Sequence, residues 1–209
     1  MFTDRIDAAH RLAQALSGYQ GEHPLVLAIP RGAVPMAKLI AAELGGEVDV
    51  VLVRKLPAPG NPEFAIGAVD ESGWTYLADH ARRMGIDDAY IEEERAAQVA
   101  LMARRRAQYT PVRPPIEAAG RVVIVVDDGL ATGSTMIAAL HAIRAKGPRK
   151  LICAVPVAPP ETADRVRDYC DELVCLETPY AFHAVGQFYR SFPQVDDDEV
   201  IALLADNPS

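Results

Sequence analysis

At 209 residues, half of them apolar and a quarter charged, the chain is long enough for one full α/β domain with little left for a second. Its formal net charge of −8 argues against a general nucleic-acid-binding surface, which needs clustered Lys and Arg. No apolar run approaches the length of a bilayer span, and residues 1–11 carry acids and no apolar core, so neither a membrane segment nor an export signal is expected and a cytoplasmic location is.

Ile6, Ala9, Leu12, Ala13 and Leu16 recur at helical spacing and predict a helix over 4–16, capped by Thr3 or Asp4. Residues 25–29 form a short apolar run and predict a buried strand. The run ends in Pro30-Arg31-Gly32-Ala33-Val34-Pro35, with a helix predicted over 35–44. Gly32 permits close backbone approach, and Arg31 supplies a planar cation suited to phosphate oxygens. Residues 48–53 predict the next strand, delivering Arg54 and Lys55 at its carboxyl end. The Pro- and Gly-rich stretch 57–77 holds two β-like runs, 64–69 and 74–77, around Asp70-Glu71-Ser72-Gly73, and predicts a hairpin. Residues 87–109 predict a helix capped by Asp87 or Asp88, with Glu92, Glu93 and Glu94 early and Arg104, Arg105 and Arg106 late. That order suits the helix dipole, so it describes either a solvated helix or a lid that brings arginines to an anion. A Pro-rich connector, 109–120, follows.

Residues 122–135 read V-V-I-V-V-D-D-G-L-A-T-G-S-T. Five apolar β-formers predict a strand buried on both faces, as in a parallel sheet. Asp127 and Asp128 then stand at its carboxyl end, where open α/β sheets bind ligands. The small-residue loop leads into a helix predicted to run to about residue 146, whose amino terminus suits a phosphate. Thr132, Ser134 and Thr135 add hydroxyl donors there. Two carboxylates beside an anion-binding nest fit a sugar phosphate. There is no G-x-x-x-x-G-K-[ST], and no G-x-G-x-x-G opening a first βα turn, so neither a P-loop nor a dinucleotide fold is supported.

Two strands, 151–157 and 172–176, flank a helix over 161–170, and the alternation implies one parallel sheet with helices on both faces. Cys153, Cys170 and Cys175 are odd in number and lack a C-x-x-C spacing, which supports neither a disulfide framework nor a zinc site. The segment 178–192 is rich in aromatics, on which a flat heteroaromatic base would stack. Tyr180, Phe182 and His183 are its base-binding candidates, Tyr180 and His183 being able to read a base edge. A closing helix is predicted over 196–204.

The stretch 122–135 resembles the phosphoribosyl pyrophosphate (PRPP) motif of the type I phosphoribosyltransferases, and the order of the other elements extends the resemblance to most of the chain. It implies an α/β fold, a mostly parallel sheet flanked by helices, with a small hood and a β-hairpin/helical insert. Residues 1–209 would be one domain, 57–109 an insert acting as lid, and 178–209 a carboxyl-terminal hood segment. The implied reaction transfers phosphoribose from PRPP to a nitrogenous acceptor, with Mg2+ as cofactor and pyrophosphate released. Asp127 and Asp128 would be the catalytic pair, holding ribose hydroxyls or magnesium-bound water. Ala131, Thr132, Gly133, Ser134 and Thr135 would take the 5′-phosphate, and Arg31, Gly32, Ala33 and Lys55 the pyrophosphate.

Two departures from the family pattern carry information. Ala131 stands where 6-oxopurine enzymes have an Asp that handles the base proton, so a hypoxanthine or guanine acceptor is disfavoured. The insert is longer than the usual family loop, so its closing residues stay unassigned. The chain most resembles the broad group of family members without an assigned acceptor. PRPP and an unknown acceptor are the expected partners, with no nucleic acid or membrane, and a homodimer is a family expectation. The other readings are a PRPP- or nucleotide-binding regulatory sensor without turnover, and a hydrolase acting on a ribose phosphate.

Overall fold

Strands in which every residue is apolar need cover on both faces, and the chain supplies it. The computed structural model describes residues 1–205. Its main sheet contains β1 (Leu25–Ala28), β2 (Glu47–Val50), β6 (Val122–Val126), β7 (Lys150–Val157) and β8 (Glu172–Glu177), parallel and in the order β2-β1-β6-β7-β8. Val26, Ile124 and Ile152 align across the sheet and face a core shared with Leu12 of α1 (Arg5–Ala15) and Ile40 of α2 (Val34–Leu44). Leu27, Val125 and Cys153 point the other way, onto Ile137 and Leu140 of α5 (Ser134–Arg144) and Val166 of α6 (Pro160–Arg167). The period of two along each strand therefore fills two cores at once.

Strand order runs one way from β1 to β2 and the other way from β6 to β8. The reversal falls between β1 and β6, and the crevice outside their carboxyl ends is where doubly wound sheets take ligands.

The run 48–53 serves two sheets instead of the single strand expected from it. β2 stops at Val50, and β3 (Val53–Ala58) starts a separate antiparallel sheet with β4 (Asn61–Asp70) and β5 (Thr75–Leu77). Every residue from Val48 to Val53 is buried, so burial continues across the change of sheet and an apolar run alone cannot reveal it. Arg54 and Lys55 consequently lie within β3, Arg54 half-buried and Lys55 exposed. The hairpin forms where the pattern put it, and Asp70 Oδ1 accepts from Ser72 N (2.8 Å) and Trp74 N (3.1 Å) to set its turn. A short helix, α3 (Asp79–Arg83), had no periodic signal. α4 (Asp88–Tyr109) starts at its Asp87 cap, which accepts from Ala89 N at 3.0 Å, and packs against β3.

The two ends of the chain meet. Asp4 caps α1, accepting from Asp7 N at 2.9 Å, and Phe2 pairs with Tyr189 of the irregular segment after β8. α7 (Asp197–Ala205) closes the described chain. Residues 206–209, the end of the expected hood segment, lie outside the described residues. Among the described residues no helix is long and apolar enough to cross a membrane.

Candidate active site

At the switch point the chain leaves β1 through Pro30, Arg31 and Gly32 and leaves β6 through Asp127 and Asp128. The two exits touch: a Cβ on Gly32 would lie 2.4 Å from Asp128 Oδ2, so only glycine fits there. The Pro30–Arg31 peptide is cis. Each exit leads into a helix with no side-chain cap, α2 after Ala33 and α5 after Gly133. Gly133 adopts φ +76°, a left-handed conformation that suits glycine. The first turn of α5 leaves backbone N–H groups and the positive dipole end for an anion, Ser134 N making only a long 3.5 Å contact to Thr132 Oγ1. At α2, Val34 N already donates to Arg31 O (3.1 Å) and Pro35 has no N–H, so that start offers mainly its dipole end. The loop 129–133 is pinned from outside: Leu130 N donates to Val157 O (2.9 Å), Thr162 Oγ1 to Ala131 O (2.8 Å), and Arg165 Nη1 to Thr132 O (3.0 Å).

Two clefts flank the acid pair. One, of about 540 Å³, is lined by Arg31, Gly32, Arg54 and Gln98. The other, of about 350 Å³, is lined by the loop 129–133, Phe64, His80 and Val185. Lys55, Asp127, Asp128 and Thr135 line both and form the partition. A separate cavity of about 400 Å³ lies under β2 and α5. Its three carboxylates already have partners in the fold: Asp49 accepts from Val50 N and Ile116 N, Asp70 holds the hairpin turn, and Glu71 accepts from Arg106.

Asp127 and Asp128 are two like charges in a partly enclosed place. Burial, then the neighbouring Asp128 carboxylate, raises the Asp127 pKa well above its ordinary value. Burial raises Asp128 as well, against the opposing pull of Arg5. Arg5 Nε and Nη2 donate to Asp128 Oδ2 at 3.0 and 2.9 Å, and its Nη1 donates to Pro193 O. Its guanidinium lies 3.8 Å from the Phe192 ring centroid. The Tyr189 hydroxyl donates to Asp128 O at 2.6 Å. Both chain ends thus hold the second acid from behind.

Sequence reasoning misses Arg5. One signal exists: a cation at the first position of a helix works against the helix dipole, so it needs another reason to be there. Sequence reasoning also treats Arg54 only as a strand-end cation and overlooks Gln98; Arg54 Nε donates to Gln98 Oε1 at 3.0 Å on the wall of the larger cleft. Of the expected residues, Arg31, Gly32, Lys55, Asp127, Asp128, Ala131, Thr132, Gly133 and Thr135 line the clefts together. Ala33 and Ser134 lie buried at the helix starts beneath them. Tyr180, Phe182 and His183 do not line either cleft. Tyr180 is 95% exposed, Phe182 packs on Phe188, and the His183 amide donates to Gln187 Oε1.

A doubly wound parallel sheet carries an acid pair at its switch point, between two helix starts without side-chain caps and a set of cations, which is the arrangement of an α/β protein with its candidate site at the strands' carboxyl ends. Residues 3–192 match the phosphoribosyl transferase domain family, and the chain belongs to that family. It is 43% identical over 205 residues to a Mycobacterium tuberculosis protein named "Putative phosphoribosyl transferase Rv0571c", and equally to the counterpart in a second strain. The match covers 98% of this chain and 46% of each relative, so the chain spans about half the length of the curated relatives it matches. The crystal structure of TT1426 from Thermus thermophilus is 47% identical, with a TM-score of 0.82 over 98% of both chains.

Proposed function

We propose that the protein transfers the phosphoribosyl group of PRPP to a nitrogen nucleophile and releases pyrophosphate. The observation that carries this reading is the partition: Asp127 and Asp128 stand between a cleft lined by cations and a cleft floored by an anion-binding loop. In the reaction the bond from the ribose anomeric carbon to the pyrophosphate oxygen breaks, and its electron pair leaves with pyrophosphate. The acceptor nitrogen forms the new bond and gives up its proton. Positive charge builds on the sugar ring between the two steps. Backbone N–H groups at the start of α5, with Thr132, Ser134 and Thr135, hold the 5′-phosphate. Arg31, Lys55 and the backbone at Gly32 and Ala33 hold pyrophosphate, and Arg54 adds a cation to the same wall. The two carboxylates fix the ribose hydroxyls and offset the ring's charge, so the protein contributes position and electrostatics.

The residues suit magnesium held mostly by substrate. Among the described residues no group of three or more His, Cys, Asp or Glu side chains could hold a metal alone. Asp127 Oδ1 accepts from Asp128 N and Asp128 Oδ2 is taken by Arg5, which leaves one oxygen on each carboxylate. Mg2+ is commonly bound this way, through one or two carboxylates, waters and substrate phosphates. The ion supplies neutralisation of the departing pyrophosphate charge. In this reading the insert 57–109 is the lid, and the amino-terminal helix with the tail from residue 178 is the hood.

Calorimetry of PRPP with and without magnesium tests the proposal, on the native protein and on the Asp127→Asn/Asp128→Asn double variant. Magnesium-dependent binding that disappears in the double variant is expected. A native protein that fails to bind millimolar PRPP overturns the reading. PRPP that binds but is not consumed across a broad panel of nitrogen acceptors makes the protein a sensor, and consumption by water alone makes it a hydrolase.

A further inference from the structure

Displacement at the anomeric carbon places the acceptor opposite the departing pyrophosphate. Arg31 and Arg54 line only the larger cleft, while Lys55 belongs to the partition itself, so on the phosphoribosyltransferase reading the acceptor enters from the other side, the cleft of about 350 Å³. The loop 129–133 takes one end of that cleft. Beyond that loop and the partition, its walls are Phe64, Ala65, His80 and Val185.

Phe64 is a large apolar ring left 44% exposed on β4, next to a site instead of on a remote surface. Its centroid lies 5.0 Å from that of His80, with the ring planes inclined by 56°. His80 is in turn fixed, its Nε2 3.0 Å from Ala65 O. One edge of the cleft is thus a pre-set pair of rings, one of them uncovered. Val185, the tail residue that reaches this cleft, comes within 2.7 Å of where a Cβ on Gly129 would lie. Tyr180, Phe182 and His183 stay outside.

We infer that Phe64 and His80, supplied by the insert, form the wall on which the acceptor ring stacks, and that the aromatic tail contributes Val185 to that wall. The inference rests on the phosphoribosyltransferase reading. It assigns acceptor selection to the segment that separates β3 from the acid-bearing strand. The acceptor class is a planar heteroaromatic ring, the partner that an uncovered aromatic side chain lining the cleft suits.

The test compares ribose 5-phosphate with AMP, UMP and IMP by calorimetry, so that the base contribution appears as a ratio of affinities. Stacking on an aromatic side chain is typically worth about 1–3 kcal/mol per base, so at least one nucleotide should bind about tenfold tighter than ribose 5-phosphate. Phe64→Ala should remove most of that ratio and leave ribose 5-phosphate affinity within about twofold, and Phe64→Tyr should restore the ratio. Phe64 is exposed, so its loss leaves no cavity in the core. An equal loss for ribose 5-phosphate and nucleotides in Phe64→Ala would show a role at the phosphate or sugar and overturn the inference. So would an unchanged ratio, a ratio that falls instead in Tyr180→Ala/Phe182→Ala, or a native protein to which no nucleotide binds tighter than ribose 5-phosphate. A native protein that binds neither PRPP nor ribose 5-phosphate sinks the underlying reading instead.

Discussion

Arg5 and Asp128 form a buried pair, and each is costly without the other. Removing one partner of a buried pair typically costs about 3–5 kcal/mol, because the remaining charge is left without compensation. The side chains here are 10% and 18% exposed, which places the expected loss toward the lower end. Arg5→Met should therefore lower the thermal midpoint and weaken PRPP binding, because Asp128 loses the two bonds that fix Oδ2. Arg5→Lys should recover stability only in part, since an ammonium cannot reproduce the fork. Unchanged unfolding and unchanged PRPP affinity in Arg5→Met would remove Arg5 from the site. Gly32→Ala tests the same corner sterically. A Cβ at 2.4 Å from Asp128 Oδ2 must push the loop or the carboxylate aside, and PRPP affinity should fall about tenfold or more for a strain of about 1–3 kcal/mol. At this scale the candidate site was legible where it is contiguous, as in 127–135, whose residues line the clefts or start the helix beside them. It was silent where partners are remote: Arg5 and Asp128 are 123 positions apart, and no local pattern joins them.

The start of β7 is tied to the end of α5 by a single acid. Asp171 receives Arg144 Nη1 and Nη2 at 3.0 and 2.8 Å, and Leu151 N at 2.7 Å. Those bonds, the Arg144 bond first, hold its pKa below the ordinary value of 3.8. A depressed folded pKa gives stability that is present above the unfolded value and lost as pH falls through the folded one. Asp171→Asn should therefore cost about 1 kcal/mol at pH 7, a modest figure because the pair is exposed. The gap between native and variant should close as the pH falls below the ordinary carboxylate value and through the depressed folded one in a urea-unfolding series. A gap that persists at low pH would mean that lost geometry, and not charge, is responsible. The strands that Asp171 helps to align were readable because unbroken apolar runs fit only a doubly covered sheet. The same property hid the break between β2 and β3, since a buried run looks alike whichever sheet it joins.

Across the whole molecule, three parts far apart in sequence converge on Asp197, at the start of α7. Its carboxylate lies 3.7 Å from Arg31 of the loop after β1, 3.4 Å from Arg105 of α4, and 2.8 Å from the Tyr109 hydroxyl. Burial, reinforced by that last bond, raises the Tyr109 pKa and keeps the phenol a donor. Burial, with Arg105 and Arg31 nearby, lowers the pKa of Arg54, which places these cations around one spot. The charge pattern of α4 suited either a solvated helix or a lid, and its sequence could not show that Arg105 meets the carboxyl-terminal helix beside the proposed pyrophosphate loop. A carboxylate among those arginines competes with an incoming anion. Asp197→Asn should therefore bind pyrophosphate more tightly, by about threefold at low ionic strength, the scale set by partly exposed ion pairs worth about 0.2–1 kcal/mol. The gain should shrink as salt screens the exposed charges. The same variant should unfold at a slightly lower temperature, because α7 loses contacts that tie it to α4. Calorimetry with pyrophosphate at two salt concentrations reads the sign directly. Weaker binding in Asp197→Asn would mean that the carboxylate is needed to hold Arg31 and Arg105 in place, and that the carboxyl-terminal helix organises the anion site instead of restraining it.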